Sequence, residues 1–561
     1  MHFSLIKPPN WVISGLVLGI VALAAHAVAL VTGHILDNID LRTHYQWAEQ
    51  FSKVLGEGTF YPRWMPLANG GLGEPSFVII HPGYYYFMAL LKSLGMNLWL
   101  GMRVAAVIST FLVGIVTFQL LHKRLTYRCA LFTAILLQTL PFSGFLFGFH
   151  AALPWQFSFP LAVLVIGRST IEDKRRIDLL LAVSIALLCA THLLVAFMVL
   201  LSLTVYKGLG TVFHARTNLY AALVPWVSSV TLGLGLSAVY WLLAATSGSL
   251  FSVESRIDKH YLDWHNSFVF PFVTSGIFGT RWAVIQWVLP IIPLVFLLVT
   301  AWALTTQRNE RSEIWQAALR LWIVGAFALL ISSELAYPLY NSIPFLRNVQ
   351  FPYRFLSVSS IAAALAFAMV TTAAFRVSGT GTVRLRLAII GGVLISVILF
   401  LTIQYKQYTD GVPPGLGPAT MAGHVGARGA EPASIGSSWK QYVKEGAFDG
   451  YCRRTGLECE TKLNHSHHRV WIISTDSSRA ILLPLFAFPA WTVMVDNEPA
   501  ETMIDISTGL LTVGLTSGTH TVMVNWSLLW QERVGLTLSA LSLVICALIL
   551  LVRRCRPVVK D

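Results

Sequence analysis

The sequence predicts a polytopic α-helical membrane protein that carries a small C-terminal β-sandwich outside the membrane. Composition is the first reason: of 561 residues, 55% are apolar and only 12% are charged, whereas a soluble domain carries about 25% charged residues. The second is a series of apolar segments long enough to cross a hydrocarbon layer of about 30 Å. The third is a stretch of short β-rich runs separated by turn residues before the last of these segments. Disordered, fibrous and small disulfide-rich classes are excluded.

About twelve transmembrane helices are predicted. They lie near 11–33, 99–121, 129–148, 152–168, 177–191, 193–207, 219–245, 283–304, 314–335, 355–375, 386–404 and 536–552. The pair around Thr191-His192 is either two short spans or one interrupted helix. His192 is an ionisable group within this apolar pair, which makes it a candidate functional residue. A buried, hydrogen-bonded histidine at a helix break is the equal alternative.

Basic residues predict the orientation, because cytoplasmic loops carry an excess of Lys and Arg. The net charge is +13, and most of it falls in short loops such as Lys123-Arg124, Lys174–Arg176 and the tail from Arg553. Both termini are then cytoplasmic, in the inner (plasma) membrane of a bacterium, with the large loops and the β-domain periplasmic or extracellular. No cleavable signal peptide is predicted. Nucleic-acid binding is disfavoured, since no basic stripe with aromatic platforms is present.

Three regions divide the predicted chain. Residues 1–404 form the transmembrane domain, with a large first outer loop at 34–98. Residues 405–535 form the outer β-rich domain, which opens on the linker GVPPGLGP, and 536–561 hold the last transmembrane helix and a basic tail. The β-rich runs are HRVWIIS, AILLPLFAF, WTVMVD, LLTVGL and HTVMVNW, with turns at Asp496-Asn497 and Ser517-Gly518.

Two groups of side chains in the β-rich domain suggest cross-links or ligands. Cys452 and Cys459 are separated by six residues, and in an oxidising compartment they predict a local disulfide, with two free thiols as the alternative. The run Asn464-His465-Ser466-His467-His468 offers three imidazoles to a metal ion. In a surface loop such a cluster is more often solvated, so no metal site is assigned.

The first outer loop carries the candidates for catalysis, Asp37, Asp40 and His44, directly after the first span. If a helix starts near Asp40, then Asp40 and His44 share one face of it. A carboxylate beside a histidine is a workable general-base pair. A helix-capping role for Asp37 or Asp40 is about equally favoured.

Other outer residues are candidates for binding a substrate. Arg63 lies in the aromatic, Pro-rich and Gly-rich loop 58–75, which precedes a short interfacial helix at 81–95. Arg63, Arg103 and Arg354 are candidates to bind a lipid-linked phosphate, against interfacial snorkelling for any single one of them. The candidate substrate-binding residues are Tyr61, Trp64, Glu74, His81, His192 and Glu334.

These features together resemble the GT-C superfamily of integral-membrane glycosyltransferases, which have an acidic residue just after the first span and a long first outer loop. More closely, D-x-x-x-H (40–44), Y-P-R-W-x-P (61–66), G-L-G-E-P (71–75) and Q-F-P-Y-R-F (350–355) resemble the bacterial YfhO-like and 6-pyruvoyl-tetrahydropterin-synthase-related membrane proteins. The run FPAWTVMVDNEP (488–499) resembles the outer β-domain of that group. The resemblance covers essentially the whole chain.

The resemblance implies an inverting transfer of a sugar from a polyprenyl-phosphate-linked donor to a glycan, lipid or protein acceptor at the outer face of the membrane. Asp40 matches the first-loop carboxylate that acts as general base, and Asp37 is the second choice. Two residues separate them, which departs from the D-x-D form of metal-dependent members. No cofactor is therefore required by the sequence, although a divalent cation stays open.

Two other functions stay open as well. One is a transporter or flippase of lipid-linked saccharides, which predicts internal repeats and intramembrane charges; apart from His192, the sequence offers neither. The other is a non-catalytic membrane scaffold whose β-domain binds partners or glycans.

Overall fold

The structure is a computed structural model, and it describes residues 10–33, 35–36, 39–145, 153–172, 176–213, 219–251, 264–272, 283–306, 313–347, 349–376, 380–412 and 438–555. Asp37, most of the outer loop 246–282 and most of the predicted linker lie outside the described residues. The chain divides into two compact units. Unit 1 comprises Met1–Leu41, Met102–Leu234 and Lys259–Pro414, and unit 2 comprises Arg42–Gly101, Gly235–Asp258 and Gly415–Asp561. Each unit combines stretches that are distant in sequence. The three predicted regions 1–404, 405–535 and 536–561 are each continuous, and that division stays a prediction.

Long apolar helices make the chain a membrane protein. Among the described residues, five helices are long and apolar enough to cross a membrane, or six if the interrupted pair around Ser237 is one span. The five are Leu98–Leu121, Val284–Thr306, Glu313–Ser332, Pro352–Thr371 and Trp530–Arg553. Shorter apolar helices lie at Trp11–Ala25, Leu179–Thr191, Leu193–Leu209 and Ile390–Thr402. The predicted count of twelve spans is not confirmed.

In its described residues, unit 1 is helical apart from one short strand pair and one isolated bridge between Val269 and Ser333. Its α-helices, including two that continue past its borders, are Asn10–Ala25, Ala27–Thr32, Leu98–Leu121, Tyr127–Gln138, Pro141–Phe145, Leu153–Phe157, Phe159–Gly167, Leu179–Thr191, Leu193–Phe213, Leu219–Leu236, Ile291–Thr306, Glu313–Ser332, Tyr337–Ser342, Pro344–Arg347, Leu356–Arg376 and Thr380–Asp410. The helix Ile39–Gly56 crosses from unit 1 into unit 2. Four predicted spans are interrupted in the described residues, at His26, Thr139, Ser158 and Ser237, so none of them is the single helix that hydropathy alone suggests.

The helix Leu356–Arg376 forms the centre of the unit 1 core. Every side chain from Ile361 to Val370 is buried. Its alanine-rich face lets the helix Glu313–Ser332 approach closely, since a Cβ added at Gly325 would lie 3.2 Å from the backbone nitrogen of Ala363. Small residues at such contacts are how apolar helices associate where lipid removes the hydrophobic drive between them.

A two-stranded sheet fixes the start of the first outer loop. Strand β1 (Ile35–Leu36) pairs antiparallel with β2 (Gly411–Val412). The first strand follows the helix Ala27–Thr32, which ends on Gly33 in the left-handed conformation with φ of 72°. The second strand follows directly on the helix Thr380–Asp410. The carboxyl ends of these two helices therefore meet, and the outward direction of both spans stays a prediction.

Unit 2 contains a β-domain of two antiparallel sheets. The first sheet has the order β3-β4-β10-β6-β7, and the second has the order β5-β9-β8. The strands are β3 (Glu458–Asn464), β4 (His468–Thr475), β5 (Arg479–Phe486), β6 (Trp491–Val495), β7 (Glu498–Pro499), β8 (Thr502–Ile504), β9 (Leu510–Leu515) and β10 (Gly518–Trp526). All five predicted runs are strands, and β3, β7 and β8 are additional.

Alternation of side chains gives this domain its core. Every second residue of β4 is buried, and Trp471 of that strand stands opposite Val522 of β10. Ile481 and Leu483 of β5 supply the other wall, and all four side chains belong to one buried cluster. Asp496-Asn497 joins β6 to β7 with both φ angles positive, which is the two-residue turn that matches strand twist.

Helices complete unit 2. They are Ser76–Ile79, Gly83–Ser93, Ala238–Thr246, Trp439–Lys444, Ala447–Thr455 and Trp530–Cys555. The last helix lies close against Ala238–Thr246, since a Cβ added at Gly535 would lie 2.6 Å from the carbonyl oxygen of Ala238. A disulfide joins Cys452, in the helix Ala447–Thr455, to Cys459 in β3, which closes a short loop at the edge of the domain.

Candidate functional site

The helix Ile39–Gly56 carries the predicted general base. Asp40 occupies its first turn, and the side chain of Asp40 lies outside the described residues. His44 follows one turn later, and its Nδ1 lies 2.7 Å from the hydroxyl oxygen of Tyr85. Tyr85 is fully buried in the helix Gly83–Ser93. The Tyr85 hydroxyl therefore fixes the ring of His44, whereas a helix face shared by Asp40 and His44 stays the prediction that their spacing makes.

Arg63 forms a buried ion pair with Glu532 of the last helix. The Arg63 Nε lies 2.6 Å from the Glu532 Oε1, and both side chains are almost fully buried. The guanidinium carbon lies 3.3 Å from the ring centre of Tyr61. The second carboxylate oxygen of Glu532 accepts the backbone N–H of Leu529 at 2.9 Å, which satisfies a backbone donor where that helix begins. The charge of Arg63 is thus already balanced inside unit 2.

His467 joins the same cluster from the β-domain. Its Nε2 accepts the backbone N–H of Arg63 at 3.1 Å. Burial, and then the positive charges of Arg63 and Arg469, lower the pKa of His467 to about 3. The ring is therefore neutral, and because Nε2 accepts, the proton sits on Nδ1 and is donated to the Ser466 hydroxyl at 2.9 Å. The backbone N–H of Ser466 in turn donates to Glu57 at 2.7 Å.

The aromatic loop 58–75 is ordered by its own polar and aromatic residues. Trp64 is fully buried and packs edge to face on Trp491 at 5.0 Å between ring centres. The buried carboxylate of Glu74 accepts from the Asn69 amide at 3.2 Å and from the Ser76 hydroxyl. Tyr61, Trp64 and Glu74 are therefore all engaged within unit 2, and a substrate-binding role for them stays a prediction.

Unit 1 gathers a second set of predicted residues around Trp155. The guanidinium carbon of Arg354 lies 5.9 Å from the ring centre of Trp155 and 4.6 Å from that of Phe351. The ring of His192 lies 5.9 Å from that of Trp155. Arg354 Nη1 also donates to the carbonyl of Val349 at 3.0 Å. A cation, an imidazole and a buried indole are thus brought together from three separate stretches of the chain.

His192 separates two helices of unit 1. The helices Leu179–Thr191 and Leu193–Phe213 meet at this residue, whose backbone is extended. Its Nδ1 accepts the backbone N–H of Val195 at 3.3 Å, a capping contact for the second helix. The sequence left open two short spans or one interrupted helix; a single extended residue between two helices fits both, so the span count at His192 stays a prediction.

The remaining candidates are distributed between the units. Arg103, in the helix Leu98–Leu121, donates from Nη1 to the carbonyl of Ala29 at 3.1 Å. Glu334 is buried and accepts the backbone N–H of Phe272. Both belong to unit 1, whereas His81 is half-buried in unit 2 just before the helix Gly83–Ser93. The structure therefore groups Arg354 with His192, and it places Arg63 in a different unit from the other two predicted arginines.

Trp155 and Glu532 were not predicted from the sequence as partners of the candidate site residues. His467 was not predicted to contact Arg63. Glu532 stands at the start of the last apolar helix, where an acidic residue is expected near the positive end of the helix dipole, and that was the available signal. In the sequence, His467 is one member of the histidine run 464–468, and this run carries no signal for a contact with Arg63. Among the described residues, no group of three His, Cys, Asp or Glu side chains is arranged to hold a metal ion, and Asp37 and the side chain of Asp40 lie outside that set.

Comparison with known proteins gives structural likenesses, among them those to AftD and AglB. No family model and no curated protein matches the sequence. The arabinofuranosyltransferase AftD from Mycobacteria aligns with a TM-score of 0.42 and 14% identity over 69% of this chain and 27% of AftD. The archaeal oligosaccharyltransferase AglB from Archaeoglobus fulgidus, in complex with an inhibitory peptide and a dolichol-phosphate, aligns with a TM-score of 0.37 and 12% identity over 80% of this chain and 64% of AglB. This chain covers less than two thirds of either protein, and both TM-scores are too low to define its fold or activity.

Removing the charge of Glu532 is expected to destabilise unit 2. In Glu532→Gln the amide still accepts from Leu529, but the buried guanidinium of Arg63 loses its counter-ion, which costs about 3–5 kcal/mol of unfolding free energy. The double variant Arg63→Met/Glu532→Gln removes the stranded charge and is expected to regain most of that loss. Thermal unfolding of the purified protein in detergent measures both. Equal stability of Glu532→Gln and the parent protein would contradict this account of the pair.

Acid is expected to weaken unit 2 through His467. The unfolded histidine has a pKa near 6.5, and the folded one has a pKa of about 3. The unfolded state therefore binds one more proton between these values, and stability is lost as pH falls below about 6.5, by about 1.4 kcal/mol per pH unit. His467→Gln, which keeps an acceptor and a donor but does not titrate, is expected to flatten this slope.

The control for His467→Gln is the same substitution at the adjacent His468, which is half-buried. Melting temperatures of the three proteins between pH 7.5 and pH 4.5 give the comparison, since all other titrating groups are shared. An acid slope that is unchanged in His467→Gln, or lost equally in His468→Gln, would rule out His467 as its source.

Proposed function

We propose that this chain is a GT-C-like membrane glycosyltransferase that moves a sugar from a polyprenyl-phosphate-linked donor to an acceptor hydroxyl at the outer face of the membrane. The observation that carries the proposal is the helix Ile39–Gly56, which begins three residues after β1 and holds Asp40 and His44 one turn apart. This is the position at which the GT-C resemblance expects its catalytic carboxylate.

Asp40 acts as general base in the proposed reaction. Its carboxylate takes the proton of the acceptor hydroxyl while that oxygen attacks the anomeric carbon. The bond from this carbon to the phosphate oxygen breaks on the opposite face, and its electron pair leaves with the polyprenyl phosphate, so the anomeric configuration inverts. His44 is a positioning residue: its contact with the Tyr85 hydroxyl fixes the ring beside the helix face that carries the base.

Arginines of unit 1 stabilise the leaving phosphate in this proposal. A fixed guanidinium in a water-poor site stabilises developing negative charge without reorganisation. Arg354 is held by the Val349 carbonyl and stands over aromatic rings, and Arg103 is the second candidate. We assign Arg63 a structural role instead, because Glu532 already neutralises it. Trp155 offers an apolar face to the isoprenoid or to the sugar ring.

The substitution Asp40→Asn removes the base and is expected to lower the rate of sugar transfer by about two to four orders of magnitude. The matched control is Glu49→Gln, which removes an exposed carboxylate from the same helix and is expected to keep the parent rate. The assay measures label transferred from pentose and hexose conjugates of polyprenyl phosphate to saccharide and lipid acceptors in proteoliposomes. Melting temperatures of both variants confirm that the fold is kept.

Full transferase activity in Asp40→Asn would eliminate this residue as the base. Movement of the intact donor across the bilayer, with no sugar released or transferred, would favour the flippase instead. A scaffold would give neither signal, and its cellular function would survive Asp40→Asn but not the deletion of 405–535.

A further inference from the structure

A cavity of about 690 Å³ opens at the opposite end of unit 1 from Arg103. It lies where the helix Leu98–Leu121 ends and the helix Tyr127–Gln138 begins, and it is bordered by the start of the first apolar helix at Trp11. Gln119 on its wall is 16 residues beyond Arg103, which is about 24 Å along the helix. The described residues that line the cavity include none that the proposed reaction uses.

The walls of this cavity are apolar and come from four helices. Trp11, Val116, Leu164 and Leu180 line it, and the first and last of these side chains are 70% and 49% exposed. Such exposure of large apolar side chains is expected where a protein surface meets lipid rather than water. The size falls within the range of about 300–1,000 Å³ typical of sites for small ligands.

One end of the cavity is polar and cationic. Ser14 and Tyr127 line it and are joined by a hydrogen bond of 3.2 Å between their hydroxyl oxygens. Lys123 stands exposed at the same end. Arg168 also lines the cavity, but its charge is balanced by Asp178 at 2.6 Å. The described lining residues include no Asp or Glu, so the charge left over at this end is positive.

The position of the polar end matches one leaflet of the membrane. Lys123 and Arg124 lie in the turn after the helix Leu98–Leu121, and Arg128 lies in the first turn of the helix Tyr127–Gln138. The positive-inside rule assigns this basic connection to the cytoplasm. Anionic lipids concentrate on that side and attract basic residues near the surface. An apolar groove whose basic end lies at the level of the cytoplasmic head groups fits a molecule with an anionic head and a hydrocarbon chain.

We propose that this cavity binds an anionic phospholipid of the inner leaflet, with its phosphate at Lys123, Ser14 and Tyr127 and an acyl chain along Trp11, Val116 and Leu180. The apolar walls favour binding of a lipid over a soluble phosphate, and Lys123 favours an anionic lipid over a zwitterionic one. The bound acyl chain fills the space between the helices that line the cavity and so stabilises the cytoplasmic end of unit 1.

Native mass spectrometry of the full chain in detergent tests the proposal. The protein is titrated separately with phosphatidylglycerol, phosphatidylcholine and inorganic phosphate. Phosphatidylglycerol is expected to bind with a stoichiometry of one and more tightly than phosphatidylcholine, and to raise the melting temperature. Lys123→Gln is expected to weaken phosphatidylglycerol binding about fivefold, and Val116→Trp, which fills the groove, is expected to abolish it.

The matched control is Arg128→Gln, which removes the same charge at the start of the next helix, at an exposed residue that does not line the cavity. It is expected to leave the affinity unchanged. Equal binding of both lipids, or equal losses in Lys123→Gln and Arg128→Gln, would overturn the proposal in favour of general charge attraction. Raised melting temperature with inorganic phosphate alone would show a soluble anion site. These outcomes are independent of transferase activity, so failure here leaves the proposed function untouched.

Discussion

The buried pair of Arg63 and Glu532 is the interaction on which unit 2 depends. Taking two ions out of water costs several kcal/mol for each, and only close pairing with further hydrogen bonds recovers it. Here the pairing is close, at 2.6 Å, and Tyr61, Leu529 and His467 complete the contacts. The first outer loop, the last helix and the β-domain all contribute to one desolvated cluster. Loss of the loop or the last helix strands a charge, and loss of the β-domain leaves the backbone N–H of Arg63 without its acceptor. Such an arrangement specifies a unique conformation more than it adds stability.

This constraint explains why the aromatic loop is ordered although it holds only the short 3-10 helix Ala68–Gly71 and one bridge between Met65 and Glu74. Gly73 has a φ of +79°, and a Cβ there would lie 1.9 Å from the indole nitrogen of Trp64, so only glycine fits the turn. With the loop held in this way, the adjoining helix Gly83–Ser93 presents Tyr85 to His44. The order around His44 thus follows from packing elsewhere in unit 2.

Local patterns predicted much of the fold. Apolar segments located the helices, alternation located five strands, and Asp496-Asn497 supplied its turn. Strand β3 was missed because its run, ECETKLN, is polar and largely exposed, and β8 because all three of its side chains are exposed. The break at Ser237 was missed because serine carries no strong helix-breaking signal in an apolar segment.

The candidate site was predictable only where it is local. Asp40 and His44 are neighbours on one helix, and the sequence shows this directly. The partner of Arg63 is 469 residues away, and no rule of spacing connects them. The same holds for Trp155, which brings Arg354 and His192 together from distant stretches. An arginine or a histidine is a candidate because of its chemistry, but only the packing of the fold determines whether its side chain contacts a substrate or a counter-ion.

The discontinuity of unit 2 also constrains how the protein is made. Arg63 leaves the ribosome long before Glu532, and at about 5–20 residues per second the delay is about 25–90 s. During this time the first outer loop has no counter-ion, no β-domain and no last helix to pack against. The growing chain must therefore carry an unpaired cation and unpacked aromatic rings until Glu532 has been synthesised. Chaperones or lipid head groups that shelter this loop would act on the newborn chain and have no role once the last helix has inserted.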